Sequence, residues 1–184
     1  MKVFFLGSSR CFHTIDWYKS AKNKHKNNIS FITDMKDGEG FSCLVEDRND
    51  LIDLLIIDKF LLKKYSRIGH KIRNTIKMIL LPIQILKLKS FVKNMRTENY
   101  IVYAHSTYYA FMASLAGIRY VSTPQGSEVL VRPKNLIYRT FLKIAHKKAL
   151  FITVDSINMQ RKLKEFTGLD AHVVQNGINV KKIL

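Results

Sequence analysis

The sequence predicts a single α/β domain, a doubly wound and mainly parallel sheet with helices on both faces. Two observations carry this. Short apolar runs without polar alternation recur along the chain, and such runs suit strands buried on both sides. Segments with helical periodicity separate them, and strands alternating with helices build a parallel sheet. Composition agrees. The 184 residues are 47% hydrophobic and 24% charged, enough for one core, and eight glycines and three prolines exclude a low-complexity chain.

The elements follow in order. Val3–Leu6 is a first strand, broken by Gly7-Ser8-Ser9. Phe12, Ile15, Tyr18 and Ala21 then recur at helical spacing, and a lysine-rich turn runs from Lys22 to Asn28. Ile29–Thr33 reads as a strand, Asp37-Gly38-Glu39-Gly40 as a turn and Phe41–Val45 as a short third strand. Residues 51–96 read as helical, with Pro82 expected to kink or split them. Beyond it, Ile85, Leu88, Val92 and Met95 form one apolar stripe with lysines beside it.

The second half alternates more cleanly. Tyr100–Ala104 is a strand, followed by a helix over Tyr108–Ala116 that Ser106 or Thr107 caps and Gly117 closes. Tyr120–Thr123 is a strand ending at Pro124. The helix Leu136–Ala149 puts Tyr138, Phe141, Leu142, Ala145 and Ala149 on one face. Phe151–Val154 is a strand, and Ser156 starts a helix with Met159, Leu163 and Phe166 inward, ended by Gly168. His172–Val174 is a last strand before the turn Gln175-Asn176-Gly177.

Charge is far from ordinary. There are 31 Lys+Arg against 14 Asp+Glu, a net charge of +17, which points to a polyanionic partner such as an anionic membrane surface or nucleic acid. Eleven basic residues and no acidic one lie between Lys59 and Arg96. Lys87, Lys89 and Lys93 are either a membrane-facing basic row or a solvated helix face. No RNA-binding aromatic signature, zinc finger or clear helix-turn-helix supports nucleic acid. Cys11 and Cys43 are too few for a disulfide scaffold and lack zinc spacing, which fits reduced thiols in a cytoplasmic protein. Neither a signal peptide nor a membrane-spanning run is expected.

Ligands of open parallel sheets sit at the carboxyl ends of the strands, so residues there are the candidates. Gly7, Ser8 and Ser9 precede the first helix, whose N-terminus suits phosphate; the same residues also read as a plain tight turn. His13 falls near the start of that helix and His105 at the end of the fourth apolar run, with Ser106 beside it; a histidine at such a place is a site residue or a structural one. Gln125, Gly126, Ser127 and Glu128 offer an amide, backbone N–H groups, a hydroxyl and a carboxylate, suited to sugar hydroxyls or to an ordinary polar loop.

These segments form an ordered series: Gly7-Ser8-Ser9 with His13-Thr14, Val102–Ser106, Ser122–Glu128, Ala149–Ser156 and Val173–Asn179. The series resembles the N-terminal half of a family 4 (group 1-like) glycosyltransferase of the GT-B architecture, and the resemblance covers nearly the whole chain. It implies a Rossmann-like, acceptor-binding domain over residues 1–175, with 176–184 opening the crossing to a C-terminal donor domain. It further implies a hinge at Asn176 and Gly177, cleft contacts from Gly7, Ser8 and Ser9 to the donor diphosphate, and contacts from His105, Gln125 and Glu128 to acceptor or sugar. Such enzymes carry two glutamates eight positions apart on the donor side. The glutamates here are 39, 46, 98, 128 and 165, and no two are eight apart, so the catalytic glutamates are expected on a missing half.

The implied function is the acceptor-binding half of a nucleotide-sugar-dependent transferase in cell-surface polysaccharide synthesis, inactive alone. Its partners would be a glycan or lipid-linked acceptor and a separate donor-domain subunit, and its location the cytoplasm or the inner membrane face. No cofactor is expected beyond the nucleotide-sugar co-substrate, and the absence of D-x-D argues against a metal. The missing half implies apolar surface left exposed near the first and last strands. The competing reading is a non-catalytic basic α/β module that binds anionic membrane or nucleic acid.

Overall fold

A computed structural model of the chain describes residues 1–9, 11–25, 28–33, 51–52, 67–95 and 99–175. Seven parallel strands form its sheet: β1 (Lys2–Leu6), β2 (Ile29–Ile32), β3 (Leu51–Ile52), β4 (Tyr100–His105), β5 (Tyr120–Thr123), β6 (Phe151–Val154) and β7 (His172–Val173). Their order is β3-β2-β1-β4-β5-β6-β7. The chain builds leftward from β1 and then rightward from β4, so the topological switch lies between these two central strands. Leu6 pairs with Ala104 across the switch, and His105 with Thr123 one strand further on.

Helices cover both faces. The helix α1 (Phe12–His25) packs Ile15 and Tyr18 against Phe5, Ile29 and Phe31 on one side. The opposite side carries α2 (Arg67–Asn94) and α3 (Thr107–Ala116), whose Leu88, Val92, Tyr109 and Met112 bury Phe4, Leu6, Val102 and Tyr120. Next to them come α4 (Gly126–Leu130), a 3₁₀ turn (Arg132–Lys134), α5 (Leu136–Lys147) and α6 (Ile157–Thr167). Val129, Leu142, Met159 and Leu163 close a further core over Ile152 and Val154. The doubly wound expectation therefore holds, strand by strand in the second half.

Several expectations change. Residues 51–96 are not one helix: Leu51–Ile52 pairs with Phe31–Ile32 as an edge strand, and the helix starts at Arg67. Pro82 does not split α2, which runs unbroken through it. The proline is exposed while Leu81 and Leu88 on either side of it are buried, so core packing holds the helix across the missing N–H. Ser106 is the N-cap of α3, yet its side chain makes no capping bond. Ser156 caps α6 as expected, accepting from the Met159 N–H, and Gly117 and Gly168 end α3 and α6 in the left-handed conformation. The turn 37–40, the strand 41–45 and the hinge Asn176-Gly177 lie outside the described residues.

One region of the sheet lacks a helix among the described residues. On the α1 side, Phe151 of β6 is 57% exposed, with the His172 ring of β7 beside it. Near β1, by contrast, Phe4 and Phe5 are buried. Of the exposed apolar surface expected near the first and last strands, the described residues show it at β6–β7 and not at β1, a central strand.

Candidate functional site

The carboxyl ends of β4, β5 and β6 converge on a cavity of about 230 Å³. It is lined by His13, His105, Thr123, Pro124, Gln125, Gly126, Ser127 and Asp155. Three strand ends and the starts of α1 and α4 contribute, which is why residues distant in sequence meet there. The volume falls below the roughly 300–1,000 Å³ of typical small-molecule sites.

His105 is the last residue of β4, only 3% exposed. Its Nδ1 lies 2.8 Å from Thr14 Oγ1 on α1, which fixes the ring and leaves Nε2 as the other nitrogen of a side chain that lines the cavity. Burial lowers its pKa to about 4, with the charge of His13 acting in the same direction. At neutral pH the imidazole is therefore uncharged, able to exchange hydrogen bonds with a hydroxyl.

Gly7 serves packing. A Cβ there would collide with the Thr14 side chain, so glycine is what lets α1 approach the end of β1 and bring Thr14 to His105. Ser9 is fully buried and its N–H donates to Thr33 Oγ1. None of Gly7, Ser8 and Ser9 lines the cavity. Gln125 does, and its amide donates to Cys11 Sγ at 3.3 Å, joining the β5–α4 loop to the start of α1 across the rim.

Glu128 turns the other way. It is 5% exposed, and its Oε2 accepts from the Thr107 N–H, the Thr107 hydroxyl and the Gln125 N–H, each at 2.9 Å. The carboxylate takes the place of the missing Ser106 cap at the positive end of α3. His146, fully buried with its pKa lowered to about 3 by desolvation, stands behind it, with Nδ1 2.9 Å from Ser122 Oγ. Ser106 itself is held in an unusual backbone state, φ 84° and ψ 155°. Of the residues picked from sequence, the cavity brings together His13, His105, Gln125, Gly126 and Ser127; Glu128 and Ser106 support it from beneath.

Asp155 and Thr123 were missed by sequence reasoning. Asp155 directly follows the apolar run of β6, the position that identifies His105 after β4, so the same topological signal was present. Thr123 belongs to a row of hydroxyls with Tyr103 and Thr153 across β4, β5 and β6. Burial raises the Tyr103 pKa, so its phenol stays protonated within that row. Among the described residues no group of three His, Cys, Asp or Glu side chains could hold a metal ion.

Comparison with solved structures decides what this architecture is. Over 96% of its length the chain superposes on the crystal structure of Glycyrrhiza uralensis UGT73P12 complexed with glycyrrhetinic acid 3-O-monoglucuronide, at 13% sequence identity and a TM-score of 0.56. The fold is that of one half of a GT-B glycosyltransferase. The chain spans about half of that structure, covering 48% of it. No protein-family profile matches the sequence, and no curated protein does. The fold likeness does not single out family 4 among the GT-B enzymes.

Proposed function

We propose that this chain is the acceptor-side half of a nucleotide-sugar-dependent glycosyltransferase, of the family 4 type that its motif series resembles. The observation that carries the reading is His105: a neutral imidazole, fixed by Thr14, on a polar rim at the carboxyl ends of the strands. Glycosyl transfer to a hydroxyl needs a group that orients the hydroxyl and one that removes its proton as the bond to the sugar carbon forms. With a pKa of about 4, His105 is too weak a base to hold that proton near neutral pH, but a sound hydrogen-bond partner for positioning. His13, exposed at the mouth of the same cavity, is the better placed to take the proton. Gln125 and Ser127 supply the paired donors and acceptors that sugar hydroxyls require. The nucleoside diphosphate would leave toward the facing domain, with its charge stabilised there. A glycan, lipid-linked or free, is the acceptor proposed, and cell-surface polysaccharide synthesis the setting.

Saturation-transfer NMR of the chain against a panel of oligosaccharides tests this. Selective saturation of sugar protons is expected, reduced at least tenfold by Gln125→Ala. Silence toward every glycan by a chain with intact circular dichroism would overturn the reading and leave the non-catalytic basic module in its place.

A further inference from the structure

The helix α2 is apolar on two opposite sides. Leu81, Leu88 and Val92 face the sheet. Ile79, Ile83 and Leu86, at i, i+4 and i+7, are 68%, 52% and 66% exposed. At about 100° per residue this second stripe lies about 180° from the first. Lys87, Lys89 and Lys93 stand exposed on its shoulders.

The pattern extends past α2. The helices α2, α3 and α5 form one layer over the same face of the sheet, sharing the core of Phe4, Val102 and Tyr120. On α5, Leu136, Ile137 and Ile144 are exposed beside Lys143 and Lys147. None of the three helices contains an Asp or Glu. Between Arg67 and Lys148 the acidic residues are Glu98 and Glu128, and Glu128 points inward to Thr107. A solvated helix layer mixes charges of both signs and keeps large apolar side chains few. This one pairs large apolar side chains with a single sign of charge, the signature of helices that lie in a lipid interface. Nucleic acid would answer the charge but gain nothing from isoleucine and leucine, since its interfaces are polar. Among the described residues no helix is long and apolar enough to cross a membrane, which leaves docking along the surface.

We infer that the outer face of the α2–α3–α5 layer docks on an anionic lipid bilayer. Ile79, Ile83 and Leu86 enter the interface, and the flanking lysines of α2 and α5 pair with headgroups. The face docks whether or not the rim transfers a sugar.

Co-sedimentation of the full chain tests this, using vesicles of phosphatidylcholine alone or with about one-third phosphatidylglycerol. Binding is expected only with the anionic lipid and should weaken in high salt. Each lysine near the surface is worth about fivefold in partitioning, so the Lys87→Gln, Lys89→Gln, Lys93→Gln variant should lose on the order of 100-fold. Ile79→Ser with Ile83→Ser should also lose binding, at unchanged net charge. Lys19→Gln with Lys24→Gln, on α1 across the sheet, should stay within about threefold of the parent, whereas Lys87→Gln with Lys93→Gln should not. No binding to anionic vesicles, equal losses from the two lysine pairs, or full binding by the serine variant would each overturn the inference. So would tighter binding of the unsubstituted chain to duplex DNA than to anionic vesicles at the same salt.

Discussion

Ser106 sits at φ 84° and ψ 155°, a region that only glycine enters without cost. What keeps it there is the next residue, whose N–H and hydroxyl both reach Glu128. Ser106→Gly should therefore raise stability by about 1 kcal/mol, the relieved strain exceeding the added chain entropy; chemical denaturation checks it. Glu128→Ala leaves two buried donors of Thr107 and the partly buried Gln125 N–H without their acceptor and should cost about 3 kcal/mol, with Glu128→Gln costing roughly half of that. The buried histidines set a pH dependence. His105 and His146 are neutral in the fold, with pKa values of about 4 and about 3, against about 6.5 when unfolded. The unfolded chain thus binds more protons as pH falls below about 6.5, and stability drops by about 1.4 kcal/mol per pH unit for each histidine until its folded pKa is reached. Denaturation midpoints between pH 7.5 and 5 should fall steeply, and His105→Gln should flatten that slope by about half.

At the scale of elements, α2 and α4 show where sequence informs and where it stops. The strands β1, β4, β5 and β6 were legible because each is an unalternating apolar run bounded by a turn residue. The strand β3 was not, because its two residues open the apolar run of Leu51–Leu62, which suits a helix equally well. His105 was legible as a site residue from its topological position alone. The inward turn of Glu128 was not, because five residues of helix carry too little periodicity to say which side faces the core. Nor was the continuity of α2, because local sequence makes Pro82 a breaker and only the buried Leu81, Leu88 and Val92 make it tolerable. That arrangement predicts a gain on repair. Pro82→Ala restores the N–H within an exposed turn and should raise stability by about 2 kcal/mol, read as a higher denaturant midpoint at unchanged slope.

For the whole molecule, the β6–β7 end of the sheet is the open question of solubility. Phe151 is 57% exposed on a strand whose α1-side face has no helix among the described residues, and Leu150 just before the strand is 46% exposed. Sedimentation should show concentration-dependent self-association, and Phe151→Lys should suppress it without lowering the thermal midpoint. The Glu128 clip has a further consequence, in time rather than in space. The amides of Thr107 and Gln125 are 18 residues apart in sequence and stand at the starts of different helices, but they share one acceptor oxygen. Neither can swing out alone without stranding the other's partner. Their hydrogen-exchange rates should therefore converge on a single opening event, slower than that of the surrounding rim, and Glu128→Ala should uncouple them.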